Sequence, residues 1–397
     1  MGFGKRAYAY ICDGGGGGDT LLGGAHNDVF GVSSEGLETP GAVQIDVGDG
    51  THNSVVLSGT SSGLTQSLVD LVAIAGAGDR TLVWTGNGDD HLTVDQDIIN
   101  PVNLEIRAPR SITITGRTID TSHSTQPGSI LLKSELITVD GGSKLLALQT
   151  TPHSGGTSSH GNITLQAIFD NALMGFFGVE GANKGFLGFA NLDYNRTSIT
   201  VGTAEIRGGD VELTTHSDTA HFVAIPDYEG AGEFFNSAYD TGLAVLENFS
   251  AFAGYSFSES VAHINLGTND DAAGPTVIRA NNFTAHSKGI AGAKSSPLGI
   301  AVGVAIARAK THSVVNLHDV NLQATEDVVI RSSSSQTAFS QADVEGKKGV
   351  SAAVAVSIID SNTIANASGS SQLTVGGDLF VQADNIDQLT NLARSVS

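Results

Sequence analysis

The sequence predicts an all-β chain folded as a right-handed parallel β-helix, with a short glycine-rich roll at its N-terminal end. Three observations carry this expectation. Apolar residues alternate with polar ones instead of recurring at helical spacing. Glycine is abundant, 50 of 397 residues, while proline (8) and tryptophan (1) are scarce. The second half also repeats itself. Alternation is the period of a strand with one buried face, and a repeat that cannot bury its own apolar face must stack on its neighbours.

Taken in order, the first element is "CDGGGGGDTLLGGAHNDVFGV", Cys12 to Val32. Glycine loses more conformational entropy on ordering than any other residue, so such a run is either disordered or held in geometry only glycine adopts. Written in nines, Gly14 to Leu22 reads G-G-x-G-x-D-x-L-x, and Gly23 to Gly31 reads G-G-x-H-x-D-x-F-x, with His26 in the third glycine's place. "GAGDRTLVW" from Gly76 and "GNGDDHLTV" from Gly86 are looser copies. These motifs resemble the nonapeptide repeats of the RTX family, calcium-binding exoproteins of bacteria. The resemblance implies a parallel β-roll within residues 1–97, Ca2+ held by backbone carbonyls with Asp19, Asp28 and Asp90, and an interior filled by Leu21 and Phe30. It further implies that a complete site needs turns two nonapeptides apart. Leu37 occupies the place that follows Asp19 by that distance, so a site here is partial. Read from the residues alone, Gly-Asp pairs mark turns, because glycine takes positive φ and aspartate bonds its own backbone. Both readings stand at this level.

Residues 98–184 read as β-helix coils. "SITITGRTI" (111–119) and "ITLQAIF" (163–169) alternate as half-buried strands do. One helix is expected over 64–76, "LTQSLVDLVAIAG", from apolar residues at 64, 68, 71 and 72. Residues 185–397 hold four degenerate repeats of roughly 40 to 60 residues. Gly299–Asp319 aligns with Gly349–Gly369, and after one inserted residue Leu322 falls on Leu373. Two weaker units precede them: 185–201 leading into 208–217, and 250–266 leading into 280–287. A repeat of this size reads as two coils of about 25 residues, which makes about 16 coils and a rod on the order of 75 Å at roughly 4.8 Å per strand. This texture resembles the large repetitive surface proteins of bacteria, adhesins of the haemagglutinin-like kind. The resemblance implies an extracellular or cell-surface location, glycans or matrix components as partners, and neighbouring repeats of a longer parent chain.

Composition narrows the function. Against 41 acidic residues stand 20 basic ones, a net charge of −21. That disfavours nucleic acid, which needs a basic face, and favours cations or mere solubility. The longest apolar runs, from Gly299 and Gly349, fall short of the roughly 20 residues of a membrane span. The apolar run after Lys5 and Arg6 is too short for a secretory signal. A single cysteine, Cys12, excludes an internal disulfide.

Two sets of side chains are candidates for chemistry. Gly59-Thr60-Ser61-Ser62-Gly63 matches the G-x-S-x-G of serine hydrolases, with strand-like residues before and helix-like residues after, which makes Ser61 a weak nucleophile candidate without identifiable partners. Phe176, Phe177, Tyr228, Phe234, Phe235 and Tyr239 concentrate the aromatics of a chain otherwise poor in them, and either stack on sugar rings or plug a core. The leading expectation is a non-enzymatic, calcium-stiffened adhesion module. The alternative is a polysaccharide lyase, epimerase or hydrolase on the same scaffold, with carboxylate pairs such as Asp89 and Asp90 or Asp270 and Asp271 as acid and base. The twelve histidines have no zinc spacing. Thr113 and Thr115 form a T-x-T pair as on ice-binding faces, with no ladder visible in the sequence.

Overall fold

A computed structural model describes residues 9–12, 19–22, 29–33, 43–46, 53–58, 63–70, 72–75, 80–86, 91–151, 159–169, 175–181, 186–219, 251–268, 274–295, 298–299, 302–345 and 351–396. Among them nearly everything is strand, and every strand pairing is parallel except Gly175–Gly181 against Phe186–Val201. The chain is a parallel β-solenoid. Face A is a 12-stranded sheet, face B a 9-stranded sheet and face C a 7-stranded sheet, and a further 3-stranded sheet lies at the N-terminal end.

Among the described residues the first two turns have two strands each, and the third adds Gly63–Leu64 as the first strand of face B. Ala9–Cys12, Val29–Ser33 and Asn53–Ser58 belong to face A, and Asp19–Leu22, Val43–Asp46 and Val72–Ala75, interleaved with them, form the small sheet. Alternation between two sheets is the topology of a roll. Its turns are wider than two nonapeptides, since Ala9 pairs with Val29 and Val29 with Ser54. Phe30 is fully buried. From Arg80–Gly86 onward each turn has three strands, as in Asn103–Arg107 on face A, Ser111–Thr115 on face B and Thr118–Asp120 on face C. Face A runs unbroken from Ala9–Cys12 to Leu379–Val396, so the roll and the three-faced solenoid share one sheet.

The helix expected over 64–76 shrinks to a single turn, Gln66–Val69, capped by Thr65, whose Oγ1 accepts from Leu68 N–H at 3.3 Å. Val72–Ala75 is instead a strand paired with Val43–Asp46. Tertiary pairing overrides the helical spacing, as it can for a short apolar run rich in β-branched residues.

Along face A the register steps from Leu104 to Ile130, Ile163, Val211, Phe283, Val328 and Leu379, one turn at a time. The alignment read from the sequence is this register itself. Gly303 pairs with Ala353 and Leu322 with Leu373, while Phe186 pairs with Ala251 and Val211 with Phe283. The division of each repeat into two coils is overturned. A repeat is one turn, with an 18-residue strand Val328–Glu345 on face A and a 17-residue strand Ala352–Ser368 on face B. Nothing in Val302–His318 breaks the chain: it has no proline and no turn cluster, and its residues alternate between inside and outside along its whole length. Fewer, larger turns make the stack shorter, about 50 Å for the levels of face A at roughly 4.8 Å each.

The solenoid has a triangular base and a fin. In the base, Trp84, Ile106, Leu132, Leu165, Leu213, Ala285 and Ile330 stack in one inward column, all shielded from solvent. Beyond the base the long strands of faces A and B continue and pack face to face. The seam of this fin is small and polar. Ala291, Ala293, Ala307, Ala309 and Ala338 cluster in it, and hydroxyls cross it: Ser260 Oγ donates to Ser217 O at 2.7 Å, Ser287 Oγ to Ala262 O at 2.6 Å and Ser332 Oγ to Ser313 O at 2.6 Å. A serine that reaches the opposite backbone requires sheets closer than the roughly 10 Å of an aliphatic interlayer.

Corners are stitched by side chains. Between faces C and A, Asn103 Oδ1 accepts from Ser129 N–H at 2.8 Å, Ser129 Oγ from Asn162 N–H at 3.0 Å, and Asn162 Oδ1 from Asp210 N–H at 3.0 Å. Asn282 Oδ1 accepts from Asp327 N–H at 3.1 Å, and Asp327 Oδ1 from Asp378 N–H at 2.8 Å. Each bond satisfies a backbone donor that the bend removes from the sheet. Between faces B and C the chain turns through left-handed residues, Gly116 (φ 64), Gly141 (φ 66), Asp319 (φ 55) and Gly369 (φ 66), where glycine carries no steric penalty.

Candidate binding face

Side chains on a strand alternate between its two sides. On face B, Leu92, Ile112, Ile137, Ile199, Ile264 and Val315 point inward and are buried. The outward residues next to them pair in succession: Thr93, Thr113, Thr138 and Thr200, then Asn265, Asn316 and Asn366. These seven form one column, its members about 4.8 Å apart. Asn366 Nδ2 donates to Asn316 Oδ1 at 3.3 Å. Thr113 thus belongs to a ladder after all, one built across turns and invisible within any single stretch. Thr115 does not extend it into a second threonine column, because its partner is Asp140.

Where face B extends into the fin, its outward columns change character. Tyr194 is followed by Glu259, Lys310 and Asp360, and Arg196 by Val261, His312 and Asn362. Leu192 is followed by Phe257, Arg308 and Ile358, and Ser198 by His263, Val314 and Ile364. Tyr194 is 56% exposed and Tyr255 36%. Glu259 Oε1 lies 3.0 Å from Lys310 Nζ and 3.7 Å from His312 Nε2. Arg308 approaches Asp360 at 3.5 Å and stands 5.7 Å from the centre of the Phe257 ring. Burial first, and then the positive charges of Arg196 and His312, push the His263 imidazole down to about 4. Its Nε2 is buried without a hydrogen-bond partner. On the outer side of face A, burial and the charges of Arg331, Lys288 and His216 likewise lower His286, opposed by Glu212.

The residues singled out from the sequence are distributed differently. Asp19 is the first residue of Asp19–Leu22 and pairs with Val43, so its backbone lies in a strand. Asp28, Asp90 and Ser61 lie outside the described residues. Phe176 and Phe177 fall in Gly175–Gly181, opposite Asn191 and Ala190. Tyr228, Phe234, Phe235 and Tyr239 belong to residues 220–250, outside those described. Among the described residues no group of three or more His, Cys, Asp or Glu side chains converges as metal ligands do, and no helix is long and apolar enough to cross a membrane. Sequence reasoning missed Tyr194, Arg196 and the threonine column. The available signal was the repeat alignment itself, which already placed the Tyr194 strand on the Glu259 strand.

Comparison with known proteins leaves the geometry to speak alone: no protein-family model, no curated protein and no solved structure matches this chain.

Proposed function

We propose that the chain is a non-enzymatic structural and adhesion module that works outside the cell and presents face B to glycans or to other surface polymers. The supporting observation is the column of Thr93, Thr113, Thr138, Thr200, Asn265, Asn316 and Asn366. It is an evenly spaced track of hydroxyls and amides on a surface fixed by backbone ladders. A polymer with recurring hydroxyls can make the same hydrogen bond at successive levels, and a preorganised surface loses little entropy on binding it. On the same face, farther along the strands toward the fin, exposed Tyr194 supplies a rigid, amphipathic surface of the kind sugar rings rest on. Calcium, held at the N-terminal end with help from Asp19, Asp28 and Asp90, is part of the same reading.

An immobilised glycan array probed with the intact chain tests it. Binding to a subset of glycans is expected. The triple variant Thr113→Val, Thr138→Val, Thr200→Val, which keeps side-chain shape and removes three hydroxyls, should weaken it. A folded chain that binds no glycan and no cell surface overturns the proposal.

A further inference from the structure

We propose that the ligand of face B is a uronate-type acidic oligosaccharide, with its carboxylate met by Arg196 and Lys310 and a sugar ring resting on Tyr194. This rests on the glycan-binding reading above and names the chemistry of its ligand.

The chain is strongly acidic, yet the outer side of face B in the fin is locally basic. Among the described residues, Arg196, Arg308 and Lys310 share it with Glu259 and Asp360. Lys310 leans on Glu259, which draws its charge toward the level of Tyr194 and Arg196. Arg196 is exposed and has no ion-pair partner among the described residues. Lys310 is paired with Glu259 and Arg308 with Asp360, so Arg196 leaves one positive charge in excess on this patch, and a carboxylate brought by a ligand balances it. Arg binds carboxylates bidentately, which fixes orientation as well as charge.

Order along the strand argues for a sugar over other anions. Tyr194, Arg196, Ser198 and Thr200 follow one another on the outward side of Phe186–Val201, each about 7 Å from the next. Ser198 is buried, so the accessible part of the row reads as aromatic platform, cation and, at its far end, the hydroxyl of Thr200 in the threonine–asparagine column. A ligand that stacks a ring, presents a carboxylate beside it and offers further hydroxyls fits that sequence of groups. A nucleic acid strand, with a charge on every unit, meets repulsion from a chain of net charge −21 once it leaves this short patch.

Calorimetric titration of the intact chain with uronate trimers (galacturonate, guluronate and mannuronate), and with their neutral methyl esters, decides the matter. At least one free acid should bind about tenfold more tightly than its ester. Arg196→Gln should remove that preference, and Tyr194→Ala should weaken acid and ester together. Both side chains are exposed, so unchanged circular dichroism and melting verify that the variants fold. In the chain as it stands, binding of the acid should also raise the apparent titration point of His263 in histidine NMR spectra, because a bound anion favours the imidazolium. Esters that bind as well as the acids, or an Arg196→Gln variant with an unchanged preference, overturn the inference while leaving the glycan reading intact. Tighter binding of a single-stranded oligonucleotide overturns it as well. Failure of every glycan, neutral or acidic, overturns the reading beneath it.

Discussion

Replacing Asn282 by aspartate tests the corner ladder at its most connected rung. The Asn282 amide donates to Asp210 Oδ1 and to Glu326 Oε2, both at 2.9 Å, and accepts from Asp327 N–H at 3.1 Å. Aspartate keeps the shape and the acceptor, loses both donations and sets a third carboxylate beside two others. Two hydrogen bonds at this solvent-facing corner contribute about 1 kcal/mol each. Two unit charges 4 Å apart repel by about 1 kcal/mol in bulk water and about 4 kcal/mol at an effective dielectric of 20. The corner is open to solvent, so the lower figure applies, and the two new repulsions add about 2 kcal/mol to the lost bonds, for about 4 kcal/mol at pH 7. Asn282→Ala loses all three bonds and gains no charge, which makes it the milder change at about 2 to 3 kcal/mol. The sign with pH follows. The fold penalises the charged form of the new carboxylate, so the deficit is full at neutral pH and recedes as the group is protonated toward about pH 4. Salt should relieve the same part. Urea melts at pH 7 and pH 4, with amide exchange at Val211 and Val328 to localise the loss, provide the assay, because a stacked array opens in sections. Equal losses in the two variants at pH 7, or no convergence on acidification, refute the ladder as a stabilising device.

Four further outcomes are expected. Because burial and nearby cations push His263 to about 4 from 6.5, the fold favours its neutral form; its contribution is present above pH 6.5 and drains away toward pH 4, so His263→Gln should flatten the decline in melting temperature over that window. Ala307→Leu forces an isobutyl group into the closed seam of the fin and should cost about 1 to 3 kcal/mol, measured by denaturant midpoint. Phe283→Ala empties the base beneath Val211 and Val328 and should cost about 3 to 5 kcal/mol in the same assay. Millimolar Ca2+ should raise the melting temperature of the intact chain relative to chelator, with Mg2+ a poor substitute; no shift would remove Asp19, Asp28 and Asp90 from any metal role.

Period and repeat were legible in the sequence, and the size of a turn was not. Alternation gave Ile163–Phe169 to the residue, and laying Leu322 on Leu373 gave a hydrogen-bond register. Both depend on local side-chain pattern, which a strand preserves. Whether Val302–His318 is one strand or two depends on where its far end is held, and that is settled by the parallel partners on either side. The helix expected at 64–76 failed for the same reason, since Val72–Ala75 answers to Val43–Asp46 and not to its own spacing. The binding face was hidden more deeply. Thr93, Thr113, Thr138 and Thr200 stand in different turns of unequal length, so no fixed period reveals them.

Unequal turns also give the molecule a mechanical signature. The turn from Thr81 to Asn103 spans 22 residues, that from Asp327 to Asp378 spans 51, and that from Asp210 to Asn282 spans 72. If tension peels turns away one at a time, these three release about 75, 175 and 245 Å of slack at roughly 3.4 Å per residue. A force trace would then show large late-chain steps and small early-chain ones, and the order of step sizes would tell which end of the stack yields first.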